Sequence, residues 1–151
     1  MKTSLLLLSA LLVIVISCNK DKFTTIPQVT VKSISPSTVF SGDIITMKSK
    51  YTDKEGDLDS VLIVYKWYNG AIVIPKDTFR YSFASLHVPA KTQEADMDVT
   101  FEYNTNNNPD LRFLPGVSPK DTTATLGLIL KDKAGNRSNY SESEKIRLKK
   151  P

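Results

Sequence analysis

The stretch "SVLIVYKWYNGAIVIP", residues 60–75, decides the fold. Val61, Ile63, Tyr65 and Trp67 recur every second position, which places them on one face of an extended strand. β-Branched and aromatic residues dominate it, as a pleated and half-buried surface favours. Asn69-Gly70 follows, the dipeptide preferred in a two-residue type I′ hairpin because both central residues need positive φ. The chain is expected to turn there, to return along residues 71–74, and to stop at Pro75, which has no N–H for a ladder. Trp67 is expected in the core between two sheets.

Working outward, the same period of two recurs on both sides. Residues 28–34 carry Val29 and Val31. Pro36 and Gly42 make a break. Ile45, Met47, Ser49 and Tyr51 share one face of the next strand, and Thr46, Lys48 and Lys50 the other. "YTDKEGDLD", residues 51–59, reads as an acidic loop. Residues 79–88 form a further strand. In residues 96–103, Met97, Val99, Phe101 and Tyr103 face inward, and Asp98, Thr100 and Glu102 outward. Residues 104–122 read as a long polar loop. Leu126, Leu128 and Leu130 mark another strand, "DKAGN" (132–136) turns it, and the last strand ends on Ile146 and Leu148. After residue 17 no segment has a helical period. Seven to eight short strands of this kind predict an all-β antiparallel sandwich.

"YKWYNGAIV" resembles the central strand and hairpin of immunoglobulin-like domains, with Trp67 as the core tryptophan. The wider frame, from "YTDKEGDLDS" to "LGLILKDKAGNRSN", is similar to bacterial Ig-like, PKD-like and cadherin-like modules of secreted and surface proteins. The resemblance implies an Ig-like sandwich over residues 28–151. The paired cysteines of immunoglobulin domains are absent. Such a fold does not fix a function.

The amino terminus carries a second pattern. Lys2 precedes an apolar run from Leu5 to Ile16, interrupted only by Ser9. That is shorter than the roughly 20 residues a membrane-spanning helix needs, and it has the form of a signal peptide, residues 1–17. Val15-Ile16-Ser17-Cys18 resembles the lipobox of bacterial lipoproteins, which implies a diacylglycerol on Cys18 and cleavage before it. Two or three acyl chains make such an anchor lasting, at about 0.8 kcal/mol per buried methylene. Asn19-Lys20-Asp21-Lys22 is similar to the Lys-acidic export signal of Bacteroidota-type surface lipoproteins, with Lys22 departing from the acidic preference. Residues 18–27 then form a lipidated tether. The expected location is the outer membrane, on its surface or periplasmic face.

Composition excludes other classes. The formal net charge is +4 and the charges are interspersed, so no nucleic-acid footprint is present. Cys18 is the one cysteine and His87 the one histidine, which disfavours zinc and leaves no nucleophile with a base beside it. An enzyme is not expected. The cluster with chemical content is the acidic loop. Asp53, Glu55, Asp57 and Asp59 offer hard oxygens, and in an Ig-like sandwich "DKAGN" would bring Asp132 and Asn136 to the same pole. These six residues form a candidate calcium site. Turn chemistry accounts for the same residues, since Asp, Asn and Gly are what tight turns need. The expected function is a non-enzymatic envelope lipoprotein whose domain binds a protein or glycan. The alternative is a structural accessory subunit of an outer-membrane complex.

Overall fold

A computed structural model describes residues 23–83, 91–116 and 119–150. Cys18, the 1–17 segment, His87 and the far end of the 79–88 strand lie outside the described residues. Six long strands follow the predicted alternation: β1 (Gln28–Ser35), β3 (Ile44–Thr52), β4 (Leu58–Asn69), β5 (Ile72–Ser82), β6 (Glu94–Tyr103) and β8 (Thr122–Asp132). Four short ones complete them: β2 (Thr38–Val39), β7 (Arg112–Leu114), β9 (Ser141–Glu142) and β10 (Ile146–Leu148). Ten described strands exceed the seven to eight expected. The excess consists of two- and three-residue pieces too short to show a period.

The strands form two sheets, β1-β3-β6-β7 and β2-β10-β8-β4-β5, with β9 added to β8. Their order contains the A-B-E and G-F-C-C′ arrangements of Ig-like sandwiches. The place beside strand E is taken by β7, which comes after β6 in the chain and pairs with it in parallel. The β2–β10 pair is also parallel, so the sandwich is not wholly antiparallel. Inward residues of both sheets meet in one core. Ile45, Met47, Val99, Phe101 and Leu114 come from one side, and Val61, Ile63, Tyr65, Leu126, Leu128 and Leu130 from the other.

Three local expectations change. First, the hairpin turn is Gly70-Ala71, because Asn69 pairs with Ile72. Gly70 has φ +61° while Asn69 and Ala71 stay at negative φ. Positive φ at the first central position alone is the type II′ arrangement, for which glycine is preferred there. Second, Pro75 does not stop the strand. β5 runs through it by a bulge, with Tyr65 opposite Asp77 and Lys66 opposite Pro75. Proline is tolerated at such a bulge on an edge strand. The extra residue also keeps Ile72 and Ile74 on the same face as Phe79 and Tyr81, despite the odd spacing between the pairs. Third, Trp67 is only half-buried, whereas Tyr65 is fully enclosed. The inward positions of β4 lose cover in succession toward the hairpin: Tyr65, then Trp67, then exposed Asn69.

Candidate functional site

The two ends of the sandwich differ in chemistry. At one end the acidic loop meets the β8 turn. Leu58 pairs with Asp132, and Lys133 N–H donates to the Asp57 carbonyl at 3.1 Å. Asp53, Asp57 and Asp132 are therefore neighbours. Asp53 is fully buried; its Oδ2 accepts from Asp57 N–H at 2.9 Å, and its Oδ1 has no hydrogen-bond partner. Burial raises the Asp53 pKa above the ordinary aspartate value, and the Asp57, Glu55 and Asp132 carboxylates push it the same way. Asp132 has both oxygens occupied: Oδ1 accepts from Asn136 N–H and Oδ2 from Asn136 Nδ2–H, each at 2.7 Å. Glu55 is exposed. Asp59 is the extra residue of a bulge in β4 and pairs with Arg80 at 3.2 Å.

Among the described residues, no three acidic, histidine or cysteine side chains are placed to hold one metal ion. The hydrogen bonds here are those of turns. Gly56 fits the same account. Its φ is +63°, and a Cβ on it would stand 2.5 Å from the Lys91 backbone carbonyl carbon. The loop thus needs glycine for both conformation and close approach.

The long 104–122 connection is organised by side chains. Glu102 is buried, and its carboxylate accepts from Asn107 N–H, Asn108 N–H and the Thr105 hydroxyl. These bonds, the Thr105 one foremost, lower its pKa. Asn104 takes φ +59°, a conformation asparagine tolerates, and its N–H donates to the Leu114 carbonyl at 2.8 Å. The chain is thereby steered into β7, and Tyr65 Oη donates to the Pro115 carbonyl at 3.3 Å.

At the other end, beside the β4–β5 hairpin, lies an open cleft of about 870 Å³. Trp67 and Ile74 give it an apolar wall, and Asn69, Thr123, Lys120 and Arg147 add polar side chains. Trp67 Nε1 is buried with no hydrogen-bond partner. Asp121, the cleft's carboxylate, is already engaged. It accepts from Lys149 Nζ at 2.5 Å, Arg147 Nη2 at 3.3 Å and Lys150 N–H at 3.2 Å. The Lys149 bond leads in holding its pKa below the ordinary value. Sequence reading missed this cleft. Trp67 was the available signal, but alternation reports a residue's face and not its depth.

No protein-family model matches the chain, and no curated protein does. Solved structures give distant likenesses. The sporulation control protein Spo0M from Bacillus subtilis is 9% identical with TM-score 0.47, over 85% of this chain and 51% of that one. A Niemann-Pick type C2 protein from Japanese carpenter ant is 13% identical with TM-score 0.42, over 86% and 96%. The superoxide reductase (neelaredoxin) of Ignicoccus hospitalis T24K is 11% identical with TM-score 0.35, over 81% and 78%. The chain thus spans about half the length of the Spo0M chain it matches. Likenesses at this level carry no functional argument.

Proposed function

We propose that the chain is a non-enzymatic lipoprotein of the outer membrane, tethered through a lipid on Cys18, whose sandwich binds a protein or glycan of the cell envelope. The observation that carries the binding role is the cleft at the hairpin end. It combines an apolar wall with polar side chains at a sheet terminus, the usual composition of a ligand site. Its carboxylate is clamped by three donors and kept ionised, which suits binding better than proton transfer. The tether rests on the lipobox-like Val15 to Cys18.

A second reading has its own support. Ile72 is 65% exposed and Val73 46%, on opposite faces of the hairpin tip. An apolar tip of this kind would suit an accessory subunit docked in a larger envelope assembly. Membrane fractionation followed by pull-down of the intact lipoprotein tests both. Wild type is expected in the membrane fraction, and Cys18→Ala in the soluble fraction or as uncut precursor. A membrane-bound, normally processed Cys18→Ala protein would remove the lipid claim. A stoichiometric envelope protein retained through size exclusion would favour the subunit. A saturable ligand lost on Ile74→Ser would favour the binding module.

A further inference from the structure

We infer that the outer edge of β5 takes an extended segment of a partner protein as an added strand, apolar on its core side and acidic in net charge; the inference rests on the binding-module reading above. The ladder fixes which groups are on offer. β4 pairs with β8 without a shift from Ser60 to Tyr68, so its backbone groups alternate between its two neighbours. Asn69 and Ile72 close the two-residue turn and exchange bonds. The odd-numbered residues of β4 from Val61 to Asn69 therefore face β5. Their partners Ile72, Ile74, Asp77, Phe79 and Tyr81 bond inward. Between these, Val73, Thr78 and Arg80 turn both N–H and C=O outward, and Pro75 only a C=O. Among the described residues, no backbone group outside the ladder bonds them. The other sheet edges are closed or short. Asn139 and Ser141 cap the edge of β1. β2 has two residues and β7 three, against eleven in β5. A long edge is a template for another strand, and Pro75 blunts this one at a single position.

Only a main chain in extended conformation supplies alternating donors and acceptors to such an edge. Side chains set the rest. Ile74, Phe79 and Tyr81 share the core-side face; Ile74 is 36% exposed and the other two are half-buried. Apolar residues of an added strand would pack beside them. Arg80 is exposed on β5, and the Arg112 guanidinium lies 3.1 Å from the centre of the Tyr81 ring. Asp59 offsets one of these two cations, which favours carboxylates on the partner. A second copy of the chain fits less well. The Thr24 carbonyl accepts from Lys54 N–H at 3.2 Å, so the chain leading from Cys18 enters at the acidic end. From a lipid on Cys18 to Thr24 the chain reaches about 20 Å at most. Copies standing on one membrane would both point their hairpin ends away from it. Antiparallel pairing of two β5 strands, centred on Phe79 opposite Ile63, would invert one copy. The two acidic ends would then lie about 30 Å apart along the strands, beyond that reach.

The test uses the full chain in non-ionic detergent and a short synthetic peptide alternating valine and threonine between terminal glutamates. Saturating peptide is expected to slow hydrogen exchange at the Thr78 and Arg80 amides roughly ten-fold or more. Only one row of peptide amides would face β5. N-methylation of alternate peptide residues in one register should therefore abolish the protection, and in the other register leave it. Replacing the glutamates by lysines should weaken binding. Thr78→Pro removes an N–H that β4 does not use, and should lose binding while keeping the wild-type melting temperature. The methylated peptides carry the test whether or not that variant folds. Binding that leaves both amides unprotected, or that survives methylation in either register, would overturn the edge. Equal binding of the lysine peptide would overturn the acidic assignment. Protection of the same amides by raised protein concentration alone, with a dimer in size exclusion, would overturn the partner and assign the edge to a second copy. Absence of peptide binding, with a saturable envelope ligand still captured, overturns this inference and leaves the binding-module reading standing. Absence of both overturns both.

Discussion

Asp53 shows how one residue can belong to a turn and still strain it. Its carboxylate is enclosed, holds the Asp57 amide with one oxygen, and leaves the other unpaired. A raised native pKa means that the fold binds more protons than the unfolded chain between the unfolded aspartate value and the native one. Stability therefore falls as pH rises through that window and stays lower above it. Asp53→Asn keeps an oxygen for the Asp57 amide and removes the charge. It is expected to raise the melting temperature at pH 7, with the gain shrinking near pH 4, measured by thermal denaturation at both. A loss at pH 7 would mean that the charge is used. Calcium would be one such use, and it has its own check. About 1 mM calcium is an ordinary requirement for extracellular sites. With Asp132 committed to Asn136 and Asp59 to Arg80, calcium at that level is expected to leave the melting temperature unchanged. A rise that disappears in both Asp57→Asn and Asp132→Asn would assign the acidic end to an ion.

At the scale of elements, the edges of the sheets carry the account. β1 is an edge strand whose outer backbone would otherwise be unpaired. Asn139 closes it: its Oδ1 accepts from Val29 N–H at 2.9 Å and its Nδ2 donates to the Val29 carbonyl at 2.8 Å. Ser141 Oγ accepts from Val31 N–H at 2.8 Å. One side chain thus stands in for a ladder partner and ties the first strand to the far end of the chain. Asn139→Ala leaves two backbone groups of a buried residue unsatisfied. It is expected to cost about 1–3 kcal/mol in urea denaturation and to loosen β1 in hydrogen exchange. An unchanged midpoint would mean that water replaces the amide without loss.

These edge devices also mark what could be read from the residues in advance. The long strands were legible because Ile45 to Tyr51, Val61 to Tyr65, Met97 to Tyr103 and Leu126 to Leu130 alternate around a core buried on one face. The meeting of Asp57 with the β8 turn followed from sandwich topology. β7, the Glu102 clamp and the Asn139 cap were not legible. Each depends on side-chain bonds to backbone, and the Asn139 cap joins residues 110 positions apart. Pro75 misled because β5 is an edge strand that bulges next to Pro75, where a missing N–H is tolerated as it would not be in a central strand. Trp67 misled because period gives direction only, and β4 extends past the layer where the facing sheet covers it.

For the whole molecule, the two ends divide the work. The acidic end is closed by its own turns, with Asp132 held by Asn136 and Asp59 by Arg80. The hairpin end is open, with an apolar wall, a rim of cations and an exposed apolar tip. The proposed binding role is therefore assigned to the hairpin end, with the proposed lipid on Cys18 as its anchor. The most direct measurement compares the two ends in the same full-length chain. Capture of the proposed envelope ligand is measured for an Asn69→Ala/Ile74→Ser variant at the cleft and for a Glu55→Gln/Lys133→Gln variant at the acidic end, all four being exposed positions. The account predicts that the cleft variant loses capture while keeping the wild-type melting temperature, and that the acidic-end variant keeps capture. Capture lost only in the acidic-end variant would contradict it.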